Sequence, residues 1–170
     1  MQRDHAASTN ALGLLEGQHD EIEELFDQIE DTNSGARKAK LFYELADELA
    51  AHAKIEETLF YPAVLAKQTE DILLESVEEH LAIKRVLADL LELDVDDEHF
   101  DAKLSVMKEQ VQHHAREEEE GELFPKVKKL LSAEELEALG GEMLSMFEGL
   151  MRSEPRAGVP QETDAAATLG

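Results

Sequence analysis

The sequence predicts an all-α protein, namely an up-down-up-down antiparallel four-helix bundle with a short fifth C-terminal helix. Apolar residues recur at helical spacing in four long segments, and turn and cap signals separate these segments. No segment shows the alternating pattern of a half-buried strand. Short links between long amphipathic helices favour antiparallel neighbours. The chain of 170 residues, 42% of them apolar, is long enough for one well-buried domain.

The first two predicted helices span residues 10–30 and 36–66. The first opens at Ser8 or Thr9, which are good N-cap residues, and ends at the sequence DTNSG. The second bends or ends near Pro62, because proline has no N–H for the helical hydrogen bond and clashes with the preceding turn. Each segment presents one apolar stripe, as expected for a helix that packs on neighbours.

The third and fourth predicted helices span residues 70–92 and 98–130. Thr69 is a suitable capping residue for the third helix, and the acids that follow it suit the positive end of the helix dipole. The fourth helix meets Pro125 near its end, at a place that corresponds to the proline of the second helix. These two helices therefore complete a second helical pair.

A shorter fifth helix and a tail complete the prediction. The helix opens with the capping box SAEE at 132–135, and the pair Gly140-Gly141 interrupts it, so we expect it to pack across the bundle. Residues 1–152 are expected to form one helical-bundle domain. Residues 153–170 show no apolar period and are expected to form a flexible C-terminal tail.

The composition limits the kinds of site and partner. The chain has no cysteine, so any metal must be held by nitrogen and oxygen ligands. The 40 acidic and 16 basic residues give a net charge of −24, which disfavours binding to nucleic acid or to anionic membranes. The longest apolar runs are only a few residues, so neither a signal peptide nor a membrane span is expected. The predicted location is the cytoplasm.

One pattern of residues occurs twice in the chain. The stretch HAKIEETLFYPAV begins at His52, and the similar stretch HAREEEEGELFPKV begins at His114. His19 precedes the first stretch by almost the same distance as His80 precedes the second. The predicted bundle is therefore built from one two-helix unit used twice.

Each of the four long helices has one histidine on its apolar stripe, close to its midpoint. Midpoints of antiparallel helices lie at one level, so the four imidazoles should converge on one layer of the core. A glutamate follows two of these histidines by four residues, which places it on the same helix face. The candidate metal ligands are His19, His52, Glu56, His80, His114 and Glu118.

These residue types together predict a metal centre. Buried glutamate and charged histidine are costly without partners. Six such ligands are too many for one tetrahedral zinc, whereas they suit two metal ions bridged by carboxylates, and mixed imidazole and carboxylate ligands suit iron. One histidine alone would more often be a hydrogen-bonded core residue. We expect His5, His99 and His113 to face solvent and Tyr61 to lie at the core boundary.

The ordered pattern of these histidines and glutamates, followed by EETLFYP and EEGELFP, resembles the hemerythrin-like family, also called HHE cation-binding domains, over residues 10–130. The resemblance implies a four-helix bundle around a non-heme di-iron centre, bridged by carboxylates and by an oxo or hydroxo group from solvent. It also implies that the six candidate residues are the ligands. Family members bind dioxygen reversibly, sense oxygen, iron or redox state, or react with peroxide or nitric oxide.

Two positions depart from the family pattern. Oxygen-carrying members have another histidine one turn after the third-helix histidine, where this chain has Lys84. A protonated lysine cannot ligate iron, and its charge would favour an anionic ligand nearby. The second repeat also has one more residue between His114 and Pro125 than the first has. Helical spacing therefore favours Glu118 as the ligand, alignment on the proline favours Glu119, and a helical bulge would reconcile them.

Three functional classes remain open from the sequence. The favoured class is a protein that binds or senses dioxygen or a related small ligand, and Lys84 favours a sensor or peroxide-reactive protein over a carrier. The alternatives are a di-iron enzyme that decomposes peroxide or oxidises a substrate, and an iron-homeostasis protein. A ferritin-type centre needs a Glu-x-x-His pair on two helices, and Glu16 with His19 is the only such pair. No feature identifies a protein partner.

Overall fold

The computed structural model describes residues 10–170, which are helical over most of their length. The elements are α1 (Ala11–Asp31), α2 (Gly35–Ile55), a first π-helical segment (Glu56–Phe60), α3 (Tyr61–Val64), α4 (Glu70–Glu92), α5 (Phe100–Gln112), a second π-helical segment (His113–Leu123), α6 (Phe124–Leu130), α7 (Ala133–Met151) and a C-terminal 3-10 helix (Pro155–Glu162). The described part contains no strand, which confirms the all-α class. Within it, no helix combines the length and the apolar character needed to cross a bilayer.

Side-chain caps fix where the first two helices begin. Asn10 caps α1, and its side-chain oxygen accepts a hydrogen bond from the Gly13 N–H at 2.8 Å. Ser34 caps α2 in the same way. A cap of this kind contributes about 1 kcal/mol to helix stability. The two residues predicted to open the first helix, Ser8 and Thr9, lie outside the described residues.

The last α-helix is longer than the sequence predicts. Its capping box between Ser132 and Glu135 is present as expected. However, α7 continues without a break through Gly140 and Gly141. A glycine within a helix costs only about 1 kcal/mol relative to alanine, and burial of apolar residues such as Met143 outweighs this cost. The helix packs against α1 and α2.

Two apolar clusters fill the interior, on either side of a polar layer. Cluster A includes Leu15, Ile55, Val77, Phe124 and Met143. Cluster B includes Ile22, Phe26, Leu49, Ile83 and Phe100. Along α1 the chain passes from cluster A at Leu15 to cluster B at Ile22, and His19 lies between them. The polar layer therefore has its own apolar support on both sides.

The C-terminal segment packs against the bundle, in contrast with the predicted flexible tail. Its 3-10 helix lies on α2 and α4. Val159 is only 1% exposed and belongs to cluster B. The backbone N–H and guanidinium of Arg156 both donate to Asp47, at 3.1 and 2.7 Å. One apolar residue among polar anchors holds the segment, and such an arrangement leaves no helical period in the sequence.

Candidate metal centre

The structure brings the four predicted histidines together in one buried layer. His19 comes from α1, His52 from α2, His80 from α4 and His114 from the second π-helical segment. Each is between 4% and 6% exposed. The rings form two close pairs, with centroids 5.0 Å apart for His19 and His52 and 4.6 Å apart for His80 and His114. The midpoint positions of these residues therefore correspond to one depth in the protein.

Glu56 connects the two histidine pairs. Its Oε1 atom lies 2.6 Å from His52 Nε2, and its Oε2 atom lies 3.0 Å from His80 Nε2. The side chain is completely buried. The four-residue spacing thus places Glu56 on the same face as His52, as the sequence predicts.

The second connecting carboxylate is Glu119, whereas Glu118 points elsewhere. Glu119 Oε2 lies 3.1 Å from His19 Nε2, and Oε1 lies 2.8 Å from His114 Nε2. Glu118 instead contacts the half-exposed His113 at 3.2 Å. The choice of Glu118 from helical spacing therefore does not match the geometry of the layer, and the alternative from proline alignment does. Each histidine pair, with Glu56 and Glu119, offers four ligand atoms within 4.8 Å of one another.

The π-helical segments explain this register. In each repeat, the residue before the proline donates its N–H to the carbonyl of the inward-facing glutamate five residues earlier, Tyr61 to Glu56 and Phe124 to Glu119. The second π-helical segment begins at His113, more than one turn before Glu119. A π-helical turn contains more residues than an α-helical turn, so Glu119, five residues after His114, faces inward instead of Glu118, four residues after it. Counting with an α-helical period therefore selects Glu118, whereas the π-helical turn directs Glu119 into the layer.

The outer ring nitrogen of each histidine faces an acceptor. The Nδ1 contacts are His19 with Glu120 at 3.3 Å, His52 with Gln18 at 2.6 Å, His114 with Glu79 at 3.2 Å and His80 with Glu57 at 3.5 Å. Carboxylate and amide oxygens only accept, so for His19, His52 and His114 they hold a proton on Nδ1 and leave the Nε2 lone pair directed inward. The His80 contact is longer and is not a hydrogen bond. Metal-binding histidines are oriented in this way by their surroundings.

Tyr61 reaches the centre of the layer, although the sequence predicts a boundary residue. Its side chain is fully buried, and its hydroxyl lies 2.6 Å from Glu119 Oε1 and 2.8 Å from Glu56 Oε2. The same oxygen lies 3.2 Å from His80 Nε2 and 3.3 Å from His114 Nε2. Tyr61 follows Glu56 by five residues. This spacing places the two side chains on one face of a π-helical turn but not of an α-helix, so the sequence did not predict that Tyr61 enters the layer.

The ligand atoms around His19 and His52 differ in their surroundings from those around His80 and His114, because Phe124 occupies the position of Tyr61 in the second repeat. Its ring stacks near His19, with centroids 6.4 Å apart, and brings no hydroxyl. Among the buried polar atoms of the described residues that make no hydrogen bond are His19 Nε2, Glu56 Oε1 and Glu119 Oε2. They lie close to one another or to His52 Nε2, but these contacts are not hydrogen bonds. Such atoms are costly, and one cation between them would satisfy all three. The residues present therefore fit a bound metal ion.

The charges in the layer depend on one another. Burial and the Glu56 carboxylate both favour a neutral Glu119, but His114 and His19 hold its pKa down at about 2. Burial alone would lower the pKa of His19, but Glu119 and Glu120 raise it to about 9. The ionised carboxylates thus require positive charge beside them, which either protons on imidazole or metal ions can supply.

Lys84 lies one turn after His80 but stays outside the ring of ligand atoms. Its Nζ atom donates to Glu57 Oε2 at 2.9 Å, and Glu57 in turn faces the Nδ1 atom of His80. The predicted positive charge is therefore present but is paired with a carboxylate that supports a histidine. As expected, the side chains of His99 and His113 are 70% and 52% exposed. His5 lies outside the described residues.

An apolar cavity of about 40 Å³ adjoins the layer. All four histidines line it, together with apolar residues that include Ile22, Leu49, Ile83, Leu87, Val111 and Val159. A volume of this size holds a few water-sized molecules and excludes a larger organic substrate. The sequence gives no sign of the cavity, because part of its wall comes from the C-terminal segment.

Comparison with known proteins identifies similar sequences and a similar fold. The family model described as the hemerythrin HHE cation-binding domain matches residues 10–127. The crystal structure of a hemerythrin HHE cation-binding domain-containing protein from Mycobacterium kansasii is similar with a TM-score of 0.75 and 28% identity, covering 90% of this chain and 98% of that one. A DNA nickase from Nostoc sp. (strain PCC 7120 / SAG 25.82 / UTEX 2576) is 26% identical over 128 residues, or 75% of this chain. This match covers only 36% of the nickase.

Proposed function

The chain belongs to the hemerythrin HHE cation-binding domain family, and from this membership we propose that it is a non-heme di-iron protein that binds or senses dioxygen or a related small ligand such as peroxide or nitric oxide. One observation supports this most strongly: each of two buried carboxylates reaches both histidine pairs. Each pair then offers two imidazole nitrogens and one oxygen from each glutamate. The proposed ligands are His19, His52, Glu56, His80, His114 and Glu119.

Iron is the proposed metal because mixed imidazole and carboxylate ligands suit it and the chain has no thiolate. We also propose the up-down-up-down antiparallel order for the helices that hold the ligands. The short links at 32–34 and 65–69 support this order, since helices joined so closely pack as antiparallel neighbours. When bound, iron supplies reversible electron transfer and a coordination position for a small ligand.

The protein residues prepare the site in four ways. The acceptors around the layer hold a proton on the Nδ1 atoms of His19, His52 and His114 and so orient their Nε2 atoms. The buried histidines keep both carboxylates ionised. Tyr61 holds a proton between Glu56 and Glu119 at the His80 and His114 side of the layer. The apolar cavity limits the water that reaches the histidines.

The cavity volume favours a small ligand over an organic substrate. A chamber of about 40 Å³ accepts molecules of two or three heavy atoms. Peroxide decomposition is the second candidate, because the buried Tyr61 hydroxyl is a proton donor within the layer. The activity in the name of the Nostoc relative is that protein's own, and a net charge of −24 here opposes binding to a phosphate backbone.

Metal analysis and absorption spectroscopy test the proposal together. Protein produced with iron should contain about two iron ions per chain, as expected for two histidine pairs that share two carboxylates. After reduction without air, admission of oxygen should change the visible spectrum. Stoichiometric zinc, or no metal after growth with iron, would contradict the di-iron centre. If the spectrum does not change on addition of oxygen, peroxide or nitric oxide, the small-ligand function is contradicted, but the di-iron centre is not.

A further inference from the structure

The C-terminal segment forms part of the wall of the cavity beside the histidine layer. Its 3-10 helix packs on α2 and α4, which carry His52 and His80. Val159, the buried residue of this helix, lines the same cavity as the histidines. The segment therefore covers the side on which α2 and α4 approach each other.

A surface depression lies along the same segment and borders the cavity. It is lined by α2, the end of α7 and the C-terminal segment, and it shares Ala50, Lys54 and Glu162 with the cavity. Lys54 Nζ donates to Glu162 Oε1 at 2.7 Å. These two side chains are 41% and 32% exposed. This partly exposed ion pair therefore lines both the depression and the cavity.

The two parts of this cover differ in how firmly they are held. The ion pair of Lys54 and Glu162 is partly exposed, so water screens it and it contributes little stability. Glu162 Oε1 also lies 3.7 Å from the Nζ atom of the largely buried Lys84, so the carboxylate keeps a nearby cation when its contact with Lys54 opens. Val159 is fixed by burial and by polar contacts on both sides along the chain. Arg156 binds Asp47 at 2.7 Å on one side, and Arg85 Nε donates to the Thr163 carbonyl at 2.9 Å on the other. The ion pair can therefore move while Val159 stays in place.

We propose that small ligands reach the metal centre between α2 and the C-terminal segment, past the ion pair of Lys54 and Glu162, and that Val159 sets the size limit for the ligands that pass. This inference rests on the proposed function, because it names the route to that same site. The ligands admitted are molecules of two or three heavy atoms. Ring compounds are excluded by the Val159 side chain.

A pair of valine variants tests the size limit. In the oxidised, iron-loaded protein, azide and imidazole serve as a small and a larger probe, and stopped-flow absorption measures how fast each one binds. Val159→Ala should raise the imidazole rate relative to the azide rate by about tenfold or more, since one or two methyl groups in an apolar pocket discriminate by about 10–200-fold. Val127→Ala is the matched control, because Val127 is equally buried but belongs to cluster A. An equal ratio in both variants would overturn the proposal.

A second measurement tests the route without any metal. Xenon enters apolar cavities, and its exchange into the metal-free protein can be followed by xenon NMR. Glu162→Gln should speed this exchange severalfold, whereas Glu98→Gln, a change at an 88% exposed side chain outside the segment, should leave it unchanged. Unchanged exchange in both variants would overturn the route. If wild-type protein binds neither azide nor imidazole, the proposed function fails, while xenon exchange still decides the route.

Discussion

Glu118 and Glu119 are neighbours in the chain but have different surroundings. Glu119 is completely buried between His19 and His114, while Glu118 faces the half-exposed His113. Glu119→Gln should therefore weaken metal binding by at least about 100-fold, since changes in residues that only support ligands already cost about 10–100-fold. Glu118→Gln should retain normal metal content. Elemental analysis after gel filtration measures both, and equal metal loss in the two variants would contradict this assignment.

Tyr61 offers a second test at the scale of one residue. Tyr61→Phe removes the hydroxyl that lies between Glu56 and Glu119 but keeps the ring in cluster A. We expect normal folding and iron content, with a reaction toward peroxide slowed by about 100-fold, the usual size of a lost proton donor. Tyr43→Phe is the control, because Tyr43 is 45% exposed. Equal peroxide rates in the two variants would show that the hydroxyl has no part in the reaction.

Among the elements, the second π-helical segment decides which glutamate faces inward. Deleting Gly121 would rotate the following residues by about 100° relative to the preceding ones, so Glu119 and Phe124 could no longer both face the core. We expect the deletion to abolish iron binding with little change in helix content by circular dichroism.

Gly121→Ala is the control for this deletion. It keeps the residue count, and its Cβ would lie in ordinary contact with the Arg116 carbonyl at 3.4 Å. Iron binding should be normal in this variant. A deletion variant that still binds two iron ions would show that the wide turns do not set the register.

The same elements show how far the sequence could predict the site. The helices and the histidine layer were predictable, because apolar residues and histidines follow one helical period and the helix midpoints share one depth. Helical spacing alone could not choose Glu119 over Glu118 or place Tyr61 in the layer, because an α-helical period does not describe a π-helical turn. Alignment on the proline offered Glu119 as the alternative. The packed C-terminal segment also escaped prediction, since it is held by one valine and by ion pairs that only the folded helices bring together.

For the whole molecule, apolar clusters on both sides of the layer predict that the protein folds without metal but is less stable. Metal that binds only the folded state adds about 2.7 kcal/mol when its free concentration is 100 times the dissociation constant. For a chain of this length this corresponds to a melting temperature higher by about 5–10 °C.

Calorimetry of iron-loaded and metal-free protein measures this difference. Glu119→Gln is the control, because a variant that binds no metal should melt at the same temperature with and without iron. Equal melting temperatures for the two forms of wild-type protein would instead mean that histidine and glutamate satisfy one another.

The charges of the layer also predict how pH affects the metal-free protein. The pKa of His19 rises from its ordinary 6.5 to about 9 on folding, so its stabilisation is complete below pH 6.5 and is lost as pH rises through 9. The pKa of Glu119 falls from 4.5 to about 2, so its stabilisation is present above pH 4.5 and is lost as pH falls through 2. Burial and Glu79 raise the pKa of Glu118 from 4.5 to about 8, so this carboxyl lowers the stability of the folded state progressively as pH rises from 4.5 to 8.

Metal-free protein should therefore be most stable at about pH 4.5 to 5, should weaken gradually above this range because of Glu118, and should weaken more steeply from pH 6.5 toward pH 9 because of His19. Metal ions displace the protons from the imidazoles, so the iron-loaded protein should lose less stability over the same range. The gap between the two melting temperatures should accordingly widen from pH 6 to pH 9. Melting curves of both forms across this range provide the measurement, and a gap that stays constant or narrows would show that the histidine layer does not hold protons in place of metal.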